Sequence, residues 1–389
     1  METQFGKFLS KRMFPKLFWL LNVVSILFMA YVTERAVCRI FGIRTLFGLP
    51  LFLLMLADIL IITQKTVSEK WPNRAYKIIV SFLSCLMIYH FFYLIFWEAI
   101  AFVLRMSDTV EAAGALVCFV LSALTVLYGF LHTKNIDCPS YTIALEQGGM
   151  DYRIVLLSDI HLGVFVGPEH VRKVVKAVNA LSPDLVVIAG DLVDVDNAIL
   201  QSDRDMEEIA GIFRNIRSRE GVFAVLGNHD PDAENEQLCT FIKNADITLL
   251  HNQVVQLSQI NLIGRTDAAN NVRDPMEKLI SQIHNAKPIV VLDHDPQGIR
   301  EAAAFDANLV LSGHTHRGQF FPVTLFTKWA NGKHYFYGQE RFGSTYAVIS
   351  SGAGFFQLPV RIGTSNEVAD IHLLLDCQSE KKPDSFSKV

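Results

Sequence analysis

Two histidines, His314 and His316, lie two residues apart in Ser312–Gln319, SGHTHRGQ, with a glycine on either side. Residues two apart in an extended chain face the same way. At a strand end, that spacing aims two imidazoles at one point. The pair alone assigns nothing, because histidines of a core or a surface show the same spacing. Its weight comes from four other stretches of similar construction, each an apolar run that stops on a polar ligand type. LLSDIH stops on Asp159 and His161, and VIAGD stops on Asp191. AVLGNHD stops on Asn228, His229 and Asp230, and VVLDHD stops on His294 between Asp293 and Asp295.

Imidazole suits ions such as zinc, iron, nickel or copper, and carboxylate suits harder ions such as manganese. A carboxylate shared by two cations permits a dinuclear site with the ions roughly 3.5–4 Å apart. Such a pair clamps a phosphoryl oxygen, acidifies water and stabilises in-line displacement. Gly190, Gly227 and Gly313 stand directly before these polar residues, where tight turns or close backbone approach are needed.

The elements that position these residues are legible from about Tyr141 onward. YRIVLLSD reads as a strand. Val171, Val174, Val175, Val178 and Leu181 form a helical stripe opened by Pro168. DLVVIAGD and GVFAVLGN read as buried strands, with a helix over Met206–Ile216 between them. VVQLSQINLIG reads as a hairpin turning at Ser258–Gln259. A helix near Met276–Ile283, the strand PIVVLDHD, a short helix near Ile299–Ala304 and the strand NLVLSGHT follow. The last strands fall near Tyr346–Ser350 and Ile371–Leu375. Alternation of this kind predicts a layered α/β domain, with ligand sites at the C-terminal ends of its strands. All five polar endings fall there.

The first third has a different texture. Apolar runs cover roughly Phe14–Val32, Ile43–Thr63, Ile78–Leu104 and Val110–Leu131. Each is about the length that crosses a bilayer, so residues 1–135 read as an all-α domain of four transmembrane helices, followed by a catalytic domain over 141–377 and a polar tail over 378–389. Asp58, His90 and Glu98 fall inside the apolar runs, where ionisable groups are costly. Lys7, Lys11, Arg12 and Lys16 precede the first run, and Lys65, Lys70, Arg74 and Lys77 fill the second loop. The other loops carry Arg35, Arg39, Arg44 and Arg105. This bias predicts a multi-pass protein of the cell membrane with both the N-terminus and the C-terminal domain in the cytoplasm. A net charge of -4 gives no global nucleic-acid footprint. The six cysteines are scattered, without CxxC pairs, and read as free thiols.

The order D-x-H, GD, GNHD, a lone His and GHTH resembles the calcineurin-like metallophosphoesterase superfamily over about residues 151–376. SGHTHRGQFFP and SSGAGFFQLPVRIGTSNEV further resemble its membrane-associated branch, which contains the YkuE and YaeI-like phosphoesterases. The resemblance implies a four-layer α-β-β-α sandwich and two divalent ions, manganese, iron or zinc. It implies that Asp159, His161 and His316 hold the first ion, that Asp191 bridges both, and that Asn228, His294 and His314 hold the second. His229 is then not a ligand but the group that stabilises the transition state or protonates the leaving oxygen, with Asp194 of GDLVD as its orienting partner. Asp230 supports the ligands from behind.

Protein phosphatases of the superfamily carry Arg-Gly where this chain has Val195 and Asp196, which argues for a phosphodiesterase rather than a protein phosphatase. Arg265, Arg317 and Arg361 are candidates for binding substrate phosphate, and Arg317 stands where the family often has a small residue. The expectation is a membrane-anchored hydrolase that uses metal-activated hydroxide on a phosphoester. Given the bilayer anchor, the substrate class is a lipid or envelope-precursor phosphodiester or a lipid-linked pyrophosphate. The alternative is a non-catalytic ligand-binding or sensor protein on the same fold.

Overall fold

The architecture comes from a computed structural model of the chain. It describes residues 14–45, 48–50, 53–54, 74–145, 150–194, 198–269 and 272–375. The chain divides into two compact units, Met1–Gly129 and Phe130–Val389.

The first unit contains the long helices α1 (Phe14–Phe41) and α2 (Arg74–Leu104) and most of α3 (Asp108–His132). Helices α2 and α3 are long and apolar enough to cross a membrane, and they hold the third and fourth predicted runs. The first run falls in α1. Most of the second run, with Asp58 and the basic second loop before Arg74, lies outside the described residues. Met29, Val32 and Ala36 of α1 pack with Leu94 of α2 and with Ala112, Ala115 and Cys118 of α3. Glu98, one of the ionisable groups inside an apolar run, is paired: Arg35 Nη2 lies 2.7 Å from its Oε2. Arg39 similarly meets Asp108 at 2.9 Å. These pairs offset the cost of charge on otherwise apolar helices. His90 is buried edge-on to Phe119.

The second unit is built on two six-stranded mixed sheets. In chain order its elements begin with β1 (Ile136–Asp137), β2 (Ser140–Leu145), β3 (Met150–Leu157), α4 (Pro168–Leu181), β4 (Leu185–Ala189), α5 (Asp203–Phe213) and β5 (Val222–Val225). They continue with α6 (Glu236–Asn244), β6 (Ile247–Leu249), β7 (Gln253–Gln256), β8 (Asn261–Gly264), α7 (Met276–Ile280), β9 (Ile289–Leu292) and α8 (Ile299–Ala304). The last are β10 (Leu309–Ser312), α9 (Val323–Asn331), β11 (Gly338–Phe342), β12 (Thr345–Ile349), β13 (Asn366–Glu367) and β14 (Ala369–Leu375). One sheet runs β2-β14-β3-β4-β5-β6 and the other β11-β12-β10-β9-β8-β7, while β1 and β13 pair separately.

The reason for two sheets is visible in the strand sequences. Strands such as Leu185–Ala189 and Leu309–Ser312 are apolar on both faces and buried throughout. Such strands need cover on both sides. Ile154, Leu156, Leu185, Val187, Leu262, Val290, Leu292, Leu309 and Leu311 from the two sheets meet in one core layer. The opposite face of the first sheet, Val155, Leu157, Val186 and Ile188, packs under Val171, Val174 and Val178 of α4, and under α5 and α6. The opposite face of the second sheet, Ile263, Val291 and Val310, packs under Met276 and Leu279 of α7 and Ile299 of α8. The order of layers is therefore α-β-β-α.

Sequence periodicity had not marked α6, β6, β11 or α9. Each is short, and β6 has three residues, below the length at which a pattern is distinguishable.

Candidate metal centre

Strands β3, β4 and β5 run parallel to one another, as do β8, β9, β10 and β12. Their C-terminal ends are joined by backbone bonds that continue past the regular strands. Asp159 N donates to Gly190 O at 2.9 Å, and His161 N donates to Asp191 O at 3.0 Å. In the second sheet, Gly313 N donates to His294 O at 3.1 Å. The two edges meet where His294 Nδ1 lies 2.7 Å from Ala189 O.

This geometry gathers all seven predicted ligand residues in two touching groups. In the first, one ligand atom from each of Asp159, His161, Asp191 and His316 lies within 4.8 Å of the others, and all four residues are buried. His161 Nε2 is 3.1 Å from His316 Nε2 and 3.6 Å from Asp191 Oδ2. His316 Nε2 is 3.4 Å from Asp159 Oδ1. In the second group, Asn228 Oδ1 is 2.8 Å from His314 Nδ1 and 3.2 Å from His294 Nε2. His294 Nε2 is also 3.3 Å from Asp191 Oδ2. One oxygen of Asp191 thus borders both groups.

The donor set fits divalent cations. Burial pushes His161 down to about 3 and His316 well below the ordinary imidazole range, so both rings are neutral and carry lone pairs. Their short distances to Asp191 and Asp159 are therefore not ion pairs. Two neutral imidazole nitrogens 3.1 Å apart share at most one hydrogen bond, while Nδ1 of each ring is buried without a hydrogen-bond partner among the described residues. Burial raises Asp159 to about 7 against the pull of His294. Burial would raise Asp191, but the charge and hydrogen bond of His294 hold it well below the carboxylate range. His294 is held well above its ordinary value by Asp191 despite burial. A divalent cation would stabilise the ionised carboxylates and take up the lone pairs. With Nδ1–H of His294 given to Ala189 O, Nε2 faces the site and would be free to ligate once its proton is lost.

The glycines of the motifs are required by close approach. A Cβ on Gly313 would sit 2.2 Å from Asp159 Oδ2, and one on Gly227 would sit 2.2 Å from Asp191 Oδ1. The candidate ligands themselves are strained: Asp159, His161, Asp191, His314 and His316 all have positive φ. Asp230 ties two motifs together. Its Oδ1 accepts from Val193 N at 2.9 Å and its Oδ2 from Gly227 N at 2.8 Å.

His229 lies at the same centre. Its backbone N–H donates to Asp191 Oδ1 at 3.0 Å. Its half-buried ring stacks on Phe356, with centroids 4.6 Å apart, and is 5.5 Å from the His161 ring. Burial lowers the imidazole below its ordinary value, although Asp191 opposes this. Asp194, expected to orient His229, borders the centre as well. Its Oδ1 lies 3.7 Å from Nδ1 of the ligand His161.

Two of the three candidate substrate arginines are corrected. Arg265 is 1% exposed, and donates to Glu301 Oε2 at 2.9 Å, Asp274 O at 3.0 Å and Asp293 Oδ2 at 3.4 Å. Arg273 completes this clamp on Asp293, the neighbour of His294, at 2.6 and 3.0 Å. Arg361 is 0% exposed and donates to His316 O, Ser351 O and Asn366 Oδ1 at 3.0, 2.7 and 2.9 Å, and also to Gly354 O. Both guanidiniums are buried against protein acceptors, although Arg265 Nε has no hydrogen-bond partner among the described residues. Arg317 is half-buried, with its guanidinium carbon 4.2 Å from the Tyr337 ring centroid.

Phe356 and Gln319 were missed. Gln319 donates to Phe356 O and Leu358 O at 3.1 and 2.7 Å and accepts from Phe356 N at 2.8 Å, so it holds the loop whose ring supports His229. Gln319 closes SGHTHRGQ, which was the available signal. Beside Asn228 a cavity of about 520 Å³ is lined by Asp230, Pro231, His251, Thr266 and Asp267, among others.

Comparison with known proteins agrees with this geometry. Residues 152–318 match the calcineurin-like phosphoesterase family. The chain is 33% identical over 255 residues to an uncharacterised metallophosphoesterase of Helicobacter pylori, covering 63% of this chain and 65% of that protein. It is 31% identical over 294 residues to a zebrafish (Danio rerio) transmembrane protein with metallophosphoesterase domain, covering 69% and 65%. It is 27% identical over 252 residues to the uncharacterised metallophosphoesterase YkuE of Bacillus subtilis, covering 61% and 86%. The matched stretch is thus just under two thirds of the length of the first two relatives. The family match and the five strand-end motifs show that this chain carries a calcineurin-like metallophosphoesterase domain, with YkuE and the transmembrane metallophosphoesterase proteins among its homologues.

Proposed function

We propose that the chain is a multi-pass membrane phosphodiesterase with a dinuclear metal centre, acting in the cytoplasm on a lipid-linked phosphodiester or pyrophosphate. The observation that carries the reading is Asp191 Oδ2, bordered by His161 at 3.6 Å and His294 at 3.3 Å. One carboxylate shared by two imidazole-bearing groups is the arrangement that two ions require. When bound, the ions supply Lewis acidity toward a phosphoryl oxygen and lower the pKa of water.

The chain's own groups do the rest. Asp159, His161, Asp191 and His316 hold one ion, and Asp191, Asn228, His294 and His314 hold the other. The His229 backbone is tied to Asp191, and its ring stacks on Phe356. A neutral imidazole there presents an N–H to the charge that develops on a phosphoryl or leaving oxygen. Asp194 is the orienting partner that the resemblance implies for His229, and its Oδ1 stands 3.7 Å from Nδ1 of His161. Arg317 binds a non-reacting phosphate oxygen, and the cavity beside Asn228 takes one substituent of the diester. Two apolar helices and relatives named as transmembrane proteins support the membrane anchor. The absence of Arg-Gly after GDLVD favours diesters over phosphoproteins.

The test is turnover of an aryl phosphodiester, an aryl phosphomonoester and a phosphopeptide by the purified full chain supplied with manganese. The reading expects the diester to be the best substrate. A preference for the phosphopeptide overturns it.

A further inference from the structure

Residues 307–339 contain no aspartate or glutamate, but contain Arg317, Lys328 and Lys333. Within this stretch, α9 has the reverse of the usual pattern for a helix on a globular domain. A Cβ on Gly318 of the metal loop would meet Thr324 Cα at 2.5 Å and Thr327 Oγ1 at 3.1 Å, so the threonine side faces inward. The apolar side faces outward: Leu325 is 61%, Phe326 53% and Trp329 79% exposed, and Phe321 just before the helix is 53% exposed. Phe326 and Trp329 are in ring contact at 5.8 Å. Among the described residues from Ile136 onward, seven large apolar side chains are exposed, and these four fall within nine residues. An outward aromatic patch marks an interaction surface, and water is not its partner.

We infer that α9 and Phe321 form an interfacial foot that inserts into an anionic bilayer surface. Trp and Phe are favoured at the boundary between headgroups and acyl chains, and Lys at its polar edge. Lys328 and Lys333, with no acidic residue nearby in sequence, match negatively charged headgroups. The chain also has helices apolar enough to sit in a membrane. The foot is continuous with the site: the His316–Gly318 turn packs on α9, and Thr324 N donates to Phe320 O at 3.1 Å. Its insertion presents the metal centre to substrates at the lipid surface. This consequence, but not the insertion itself, rests on the function proposed above.

The test uses the full chain in vesicles of phosphatidylcholine, with or without phosphatidylglycerol, whose acyl chains carry bromine. Subtracting the emission of Trp329→Phe from that of the wild type isolates Trp329 from the other three tryptophans. The inference expects this component to be blue-shifted and quenched by bromine, more strongly with phosphatidylglycerol, and shielded from aqueous acrylamide. Quenching by acrylamide and not by bromolipid overturns it, as does shielding from both, which points to a covering protein surface. Quenching that is equal in the two lipids overturns the anionic part. A second arm compares Leu325→Ser/Trp329→Ser with the wild type. It expects unchanged turnover of a soluble aryl phosphodiester and a several-fold loss on a vesicle-embedded phosphodiester. Equal rates on both substrates overturn the presentation role. If no substrate is turned over, the function fails while the quenching result still decides the insertion.

Discussion

Asp191 Oδ2 lies 3.3 Å from Nε2 of His294, a residue from the other sheet, while its Oδ1 accepts from the His229 backbone at 3.0 Å. One carboxylate is therefore in contact with both halves of the sandwich and with the residue proposed to assist the reaction. Asp191→Asn keeps the shape and removes the charge. The expected result is loss of ions from both groups, with a fall in diester turnover beyond the roughly 10–100-fold cost of losing an outer partner. Metal content by mass spectrometry checks it.

His229→Gln separates binding from chemistry. His229 touches the centre through its backbone and its ring but is not among the grouped ligands. Its replacement is expected to leave metal content unchanged and to lower kcat by about 10²–10³-fold, the scale of losing one positioned donor. Loss of metal instead would reassign it as a ligand.

The arginines separate in the same way. Arg361 satisfies the carbonyls of His316, Ser351 and Gly354 while wholly buried. Arg361→Ala leaves those acceptors unpaired, at about 1–3 kcal/mol each, so the expected result is a marked fall in Tm together with activity. Arg317→Ala is expected to leave Tm unchanged and raise KM. Thermal melts beside steady-state kinetics distinguish the two.

Burial raises both Asp159 and Asp230 to about 7, above their unfolded value of 3.8. Between those values the folded, ion-free domain holds more protons than the unfolded chain. Its stability contribution is full below about 4 and is lost as pH rises through about 7. Cations reverse this by stabilising the ionised Asp159, and they bind more tightly once His294 gives up its proton. Melts with and without manganese are expected to show a larger metal-induced rise in Tm at pH 8 than at pH 5. An equal rise at both would contradict the assignment of Asp159 as a ligand.

Gly313→Ala tests close approach directly. The added carbon would lie 2.2 Å from Asp159 Oδ2 and 2.6 Å from Ser158 Cβ. Overpacking of this kind costs about 1–3 kcal/mol, and here the strain falls on a proposed ligand. Weaker manganese binding is expected in a calorimetric titration, alongside a lower Tm.

The grouping of the candidate ligands is legible because each ends an apolar strand, and strand ends are a feature of the chain itself. Asp159, Asp191, Asn228, His294 and the 314/316 pair needed only that parallel strands share an edge. The arginines were not legible in this way. Whether Arg265 faces a substrate or Asp293 depends on Glu301, 36 residues away, and on the Arg273 clamp on Asp293. Phe356 reaches His229 only through the loop after β12, and no periodicity announces it. Helix α9 spans only nine residues, and an apolar stripe read from sequence does not tell an outward face from a core-facing one.

The most direct measurement is a titration of the metal-stripped full chain with manganese, following bound ion and aryl diester turnover together. The account predicts negligible turnover without metal, saturation at about two ions per chain, and turnover that tracks the second ion. Full turnover after stripping, or turnover complete at one ion per chain, would contradict it.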